Sequence, residues 1–159
     1  SGNLGNALAC IWARRVGLPI GDIVLAHNAN RTVSDYLSGQ PWQPRRSIAT
    51  LASAMDVGDP SNMERLQSLY PEFAVLKSAV TAEVVEDGAI RRRIAADHAA
   101  YGRIWCPHTA TAAEVMARIV EQAFQHPDAA FERVRVLAVR VHRQQTRLGQ
   151  HAPAPLFLA

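Results

Sequence analysis

Long apolar runs are missing from this chain. None approaches the roughly 20 residues that span a bilayer, and no basic segment followed by an apolar stretch opens the sequence as a secretory signal does. Cysteine is scarce: Cys10 and Cys106 stand in unlike contexts, which excludes a disulfide framework and points to a reducing cytoplasm. Lysine occurs once, as Lys77. Aromatic residues make up 6% of the chain and few of them accompany the C-terminal arginines, so no stacking surface for single-stranded nucleic acid is in view. A positive charge on the body is missing too. The formal charge is +3, yet five arginines and one acid lie from Glu132 onward, which leaves residues 1–131 at −1. The basicity belongs to the tail, and nucleic acid is not the expected partner.

What is present suits one domain: 159 residues, 48% of them hydrophobic, enough to bury a sizeable core. Ser1-Gly2-Asn3-Leu4-Gly5-Asn6 is a glycine loop opening a helix in which Leu4, Leu8 and Ile11 share one face. Arg14 and Arg15 suit its negative end, and Gly17 and Pro19 stop it. Residues 22–26 read as a buried parallel strand. Such a loop normally follows a strand, so position 1 reads as a truncation inside a βαβ unit. Further along, residues 31–38 read as a short helix ended by Gly39, and residues 40–47 as an irregular link. Asp59 and Pro60 make a helix start, with Met63, Leu66 and Tyr70 as its buried stripe. Residues 80–85 read as a strand. A helix over 87–101 has Ile90, Ile94, His98 and Tyr101 on one face and Arg91, Arg92 and Arg93 mostly solvated, with Gly102 ending it. Another helix starts after Pro107 and runs through Val115 and Ile119. Residues 134–141 have strand character. Residues 142–159, with Pro153, Pro155 and little apolar periodicity, cannot offset the entropy of ordering. The expected division is therefore 1–131 as catalytic-domain portion and 132–159 as a basic tail.

Three segments carry chemistry or its absence. In the opening loop, glycines permit close backbone approach, and first-turn N–H groups with the helix dipole attract an anion such as phosphate; a tight turn without a ligand is the plainer reading. In Cys106-Pro107-His108-Thr109-Ala110, two ligand-type residues with no partner pair do not make zinc-site spacing. A nucleophilic Cys106 needs an electropositive, partly exposed setting. His108 otherwise reads as a helix-start histidine bonded to backbone, and Thr109 as a cap. Residues 54–65, Ala-Met-Asp-Val-Gly-Asp-Pro-Ser-Asn-Met-Glu-Arg, read as a loop entering a capped helix and dictate no chemistry by themselves.

Taken in order, these segments resemble threonine synthase, a family with an S-G-N-[FL]-G-[ND] loop, then G-L-P-[IV], a strand ending in T-N-x-N, A-M-D-V-x-x-P-[SN]-N, and late in the chain P-H-[TA]-A. The counterparts here are the opening loop, Gly17-Leu18-Pro19-Ile20, His27-Asn28-Ala29-Asn30, residues 54–62 and residues 107–110, collinear over roughly residues 1–117. Threonine dehydratases share the general fold but are not expected to carry the A-M-D-V-x-x-P-S-N segment. The resemblance implies an α/β chain with the fold type II, tryptophan synthase β-like pyridoxal-phosphate architecture, helix-rich with few strands. It implies pyridoxal 5'-phosphate as cofactor, its phosphate cradled by Gly2, Asn3, Leu4, Gly5 and Asn6, and the Thr109 hydroxyl beside the pyridine nitrogen. The implied reaction converts O-phosphohomoserine and water into threonine and phosphate by γ-elimination and then β-addition of water. No metal is implied.

The chain also departs from that pattern. Where the family has N-D-x-V-x-R-[FY], residues 30–36 read Asn-Arg-Thr-Val-Ser-Asp-Tyr, with acid and base exchanged at i and i+4, which favours a structural pair. Cys106 stands where many members carry an acid, and the closing T-A-H-P-[AS]-K-F segment is absent after Ala117. The Schiff-base lysine of the family lies upstream of the phosphate loop. Lys77 lies downstream of it and reads as an ordinary solvated lysine, so no catalytic residue is expected in this chain and the chain alone is expected to be inactive. The competing reading is a non-catalytic remnant or interaction module of the same fold.

Overall fold

The first helix owes its position to both of its ends. In the computed structural model, which describes residues 2–125, α1 (Gly5–Arg15) starts directly after Leu4, whose backbone is left-handed at φ 60 and ψ 4. It ends where Gly17 takes φ 97; the Gly17 and Leu18 N–H groups donate to Arg14 and Ala13 carbonyls at 3.1 and 3.0 Å. That pair of reversed bonds is a Schellman cap, and it needs the glycine. The two arginines expected to serve the helix dipole also bridge outward. Arg14 donates to Gly21 O at 3.3 Å and Ala79 O at 2.8 Å, and Arg15 reaches Leu69 O at 3.3 Å.

Strand β1 (Val24–His27) runs parallel to β2 (Thr81–Val84), with Val24 opposite Thr81 and His27 opposite Val84. Between them lie α2 (Thr32–Leu37), a single 3-10 turn at Ser53–Met55, α3 (Met63–Leu69) and α4 (Phe73–Ala79). Leu4, Leu8 and Ile11 meet Ile23, Leu25, Val33, Met63, Leu66 and Leu76 in one core. Fully burying a side chain such as Ile11 or Leu66 contributes about 1.5–3 kcal/mol. Tyr36 packs edge-on against Trp42 and Phe73, with ring centroids 5.7 and 5.2 Å apart, and so holds the irregular link to the core.

The exchanged pair at the start of α2 forms the ion pair that its spacing suggests. Arg31 meets Asp35 at 2.8 Å, and Arg45 from the link completes the site at 2.7 Å. Burial raises the Asp35 carboxyl pKa, but hydrogen bonds and charge from Arg31 and Arg45 outweigh it and hold the group below the usual range. Gly58 is dictated by close approach: a Cβ there would stand 2.1 Å from the Arg45 carbonyl oxygen.

Three local expectations are corrected. Helix α3 begins at Met63, not at Pro60, because the Pro60 carbonyl closes a turn with the Met63 N–H at 2.9 Å and only then does the burial of Met63 set the helix. Helix α4 falls where no element was expected; with Leu76 as its single buried residue it is too short to show a period. On α5 (Asp87–Tyr101), Tyr101 is 76% exposed and His98 is exposed as well. Of the expected face Ile90 is buried and Ile94 half-buried, and the other buried residues are Ala89 and Asp97. Asp97 accepts from Arg93 at 3.0 Å and from Trp105 Nε1 at 2.7 Å, and Arg93 reaches Glu114 at 3.0 Å, so Arg93 is paired, not solvated. A polar node replaces the second half of the apolar stripe. Gly102, at φ 64, ends the helix as expected.

Helix α6 (Pro107–Gln125) follows. The described residues belong to two units: residues 2–115 make the first, and residues 116–125 the described part of the second. In the second, Gln125 donates to Glu121 at 3.4 Å along the helix. No helix among the described residues is long and apolar enough to cross a membrane. The expected basic tail 132–159 and the strand at 134–141 lie outside the described residues.

Candidate functional site

Each of the three segments singled out in the sequence is a loop entering a helix, and the fold links them. Gly2 fits against the second segment with no room for a side chain: a Cβ would meet Ala54 O and Met55 Cα at 2.9 Å and Val57 Cγ2 at 3.2 Å. Asn3 is held from the same side. Ser61 Oγ donates to Asn3 Oδ1 at 3.1 Å, and Asn62 Nδ2 donates to the Asn3 carbonyl at 2.7 Å. Asn62 precedes α3, yet its side chain ties down the opening loop and does not cap the helix. Leu4 turns the chain and is buried, whereas Asn3, Gly5 and Asn6 face solvent. A Cβ on Gly5 would meet only Asn62 Nδ2, at 4.0 Å, so the protein itself leaves that position open. The first turn of α1 carries no acid, so its own residues set no negative charge against the positive end of its dipole.

The third segment joins through Ala54, whose N–H donates to His108 Nε2 at 3.0 Å. An imidazole nitrogen that accepts carries no proton, so the ring hydrogen sits on Nδ1. The expected backbone-bonded helix-start histidine is therefore observed, but its partner is the loop of residues 54–57. Thr109 is half-buried one residue on, and its Oγ1 lies 3.3 Å from Cys106 Sγ. The exposed Cys106 thiol is pulled down from 9.0 to about 7, first by the Thr109 hydroxyl and then by the Thr109 N–H; burial opposes this and His108 assists. No group of three or more metal-ligating side chains occurs among the described residues.

Sequence reasoning passed over the residues that fix the second segment. Asp56 accepts from Asn28 Nδ2 at 2.7 Å, Thr50 Oγ1 at 2.7 Å and Asn30 Nδ2 at 3.1 Å, and from the Thr50 N–H at 3.0 Å. The signal was two asparagines directly after a strand, a place where buried amides need partners. His27, the last residue of β1, is 3% exposed on the Leu25 side of the strand; its Nε2 is buried without a hydrogen bond, and burial holds its pKa down at about 3. Lys77 is exposed in the last turn of α4, as an ordinary lysine is.

No protein-family model matches the chain. Among curated proteins, threonine synthase of Haemophilus influenzae is 46% identical over 70 residues, which is 44% of this chain and 16% of that protein. Among solved structures, threonine synthase from Escherichia coli superposes with a TM-score of 0.67 and 31% identity, over 74% of this chain and 27% of that one. A structure described as pyridoxal-phosphate-bound threonine synthase from Brucella melitensis matches with a TM-score of 0.67 and 23% identity, over 74% and 31%. The match thus spans between a sixth and a third of the length of these proteins. Over the matched residues the chain is a homologue of the threonine synthases and has the corresponding portion of their α/β fold.

Proposed function

We propose that the chain serves the threonine synthase reaction, the pyridoxal-phosphate-dependent conversion of O-phospho-L-homoserine and water into L-threonine and phosphate, as a cytoplasmic portion of that enzyme. The observation that carries this reading is the joining of the three family segments through Gly2, Ala54 and His108. The residues fit the cofactor's phosphate: Gly2, Asn3, Leu4, Gly5 and Asn6 form an acid-free helix start, and an anion gains there from the dipole. Thr109 would offer its hydroxyl to the pyridine nitrogen. A neutral partner need not protonate that nitrogen, which makes a weaker electron sink than a carboxylate partner does. The hydroxyl has one proton to give, and while Cys106 is a thiol its own S–H can donate to Thr109 Oγ1 and leave that proton for the ring. Bound there, the cofactor supplies the electron sink for the elimination and the addition of water. The division at residue 131, with the basic tail as an appendage, belongs to the same reading.

Lys77, exposed on α4, favours a second statement within this reading: the 159 residues alone do not turn over substrate, because their one lysine is an ordinary surface group. The test is to graft residues 2–117 in place of the matched segment of the Escherichia coli enzyme. Threonine and phosphate release from O-phosphohomoserine is expected from the graft and none from the chain alone. A graft that folds and takes up pyridoxal phosphate yet releases no threonine would favour a non-catalytic remnant of the same fold.

A further inference from the structure

The segment that walls the opening loop has one 3-10 turn and otherwise no regular structure, so side chains must set its shape. Its anchor is Asp56. The carboxylate is acceptor-only and is met by four donors, from Asn28, Asn30 and Thr50. Asn28 and Asn30 are 1% and 7% exposed and are themselves locked: Asn28 Oδ1 accepts from the Asn30 N–H and Nδ2, and Asn30 exchanges bonds with the Ile48 N–H and carbonyl at 2.9 Å each. The end of β1 is therefore a template on which residues 48–56 fold. Two residues before Asp56 stands Ala54, with its carbonyl against Gly2 and its N–H on His108.

On the cofactor reading above, we propose that Asp56 is a positioning residue for the phosphate loop and for the start of α6. It acts through Ala54 and Met55. The contact with Gly2, at 2.9 Å from an absent Cβ, transmits any shift of that wall to the loop, and the bond to His108 transmits the same shift to the helix turn that carries Thr109. Asp87 supplies the control. Its carboxylate also holds this segment, accepting the Leu51 N–H at 3.1 and 3.3 Å, but leaves the Asn28, Asn30 and Thr50 lattice untouched.

The experiment records the nitrogen-15 spectrum of the His108 ring and pyridoxal 5'-phosphate binding in the chain and in Asp56→Ala, Thr50→Val and Asp87→Ala. Asp56→Ala is expected to lose the hydrogen-bonded Nε2 signature and to weaken cofactor binding by about tenfold or more, the scale on which outer supporting groups act. Thr50→Val, which removes one donor, moves both readouts in the same direction by less and stands in if Asp56→Ala does not fold. Asp87→Ala keeps both readouts even where its melting temperature falls as far. Equal loss in Asp87→Ala, or an unmoved His108 ring in Thr50→Val and Asp56→Ala, overturns the assignment. Failure of the unaltered chain to bind pyridoxal phosphate would count against the cofactor reading alone, since the ring spectrum still decides what Asp56 holds.

Discussion

A buried histidine with an unsatisfied nitrogen should make this fold sensitive to mild acid. His27 is neutral in the folded chain, with burial holding its pKa at about 3 against 6.5 for a free imidazole. The unfolded chain therefore takes up a proton first as pH falls. Stability is full above about pH 6.5, declines as pH falls through the window between the two values, and changes no further from this group below about pH 3. From pH 7 to 5.5 the loss from His27 alone comes to about 1.2 kcal/mol. With a urea slope near 1.5 kcal/mol per molar, that is a drop of about 0.8 M in the midpoint.

The assay is urea unfolding of the chain and of His27→Thr at both pH values. Threonine is the residue that the T-N-x-N pattern has at this position. The variant loses volume and so starts from a lower stability, but the slope with pH is what reports on the ring. His98 and His108 remain in both proteins and cancel in the comparison. Equal drops in the two proteins would refute the argument, because a ring that loses no stability on acidification is not buried neutral in the fold.

Gly58→Ala should cost about 3 kcal/mol or more, since the new Cβ meets backbone that cannot yield at 2.1 Å from the Arg45 oxygen; a melting temperature within a degree of the parent would contradict that contact. Gly5→Ala should fold normally, because the nearest atom to its Cβ is at 4.0 Å. Gly5→Asp should instead weaken binding of pyridoxal phosphate, and of inorganic phosphate, by about tenfold or more through like charge at the helix start; unchanged affinity would take the loop out of the site. Thr109→Val should shift the midpoint of Cys106 alkylation by iodoacetamide from about 7 toward 9.0, since the hydroxyl is the largest cause of the lowered value. In the grafted enzyme the same variant should alter turnover and the cofactor's absorption while thermal stability hardly changes, and wild-type behaviour in both would demote Thr109 to a helix cap.

What the sequence made legible is local. The glycine loop, the Schellman stop at Gly17, the strand expected at residues 22–26 and observed at Val24–His27, and the proline-led start of α6 each depend on residues within a turn of one another, where backbone sterics act directly. The early onset expected for α3 failed because Pro60 closes a separate turn with Met63, while the side chain of Asn62 is engaged 59 residues away, at Asn3. Sequence separation also hides Asp56, whose partners Asn28 and Asn30 lie 28 and 26 residues upstream. On α5 an apolar period was read through Tyr101, but Asp97 draws Arg93 and Trp105 onto that face, and charge pairing rotates the buried side away from His98. His27 shows the limit most sharply, because its burial follows from the pleat it shares with Leu25 and not from anything in its own chemistry.

Leu4 shows how the opening loop is held without charged side chains. It is the only non-glycine residue at positive φ among those described, and for a side chain with a Cβ the left-handed region costs roughly 1–2 kcal/mol. A glycine would avoid that cost, yet the position carries a leucine that is 1% exposed and packed in the core with Leu8 and Ile11. Burying it contributes about 1.5–3 kcal/mol, enough to offset the strained backbone. The turn is thus pinned by an apolar anchor below, while Gly2 above it allows the contact with Ala54 and Met55 and Gly5 stays open toward solvent. The buried side chain of Leu4, the close packing of Gly2 against Ala54 and Met55 and the bonds from Ser61 and Asn62 to Asn3 all restrict the same few dihedrals. A backbone restricted in that way would lose little further entropy on meeting the phosphate proposed for it, which is what binding through N–H groups and a helix dipole alone would require.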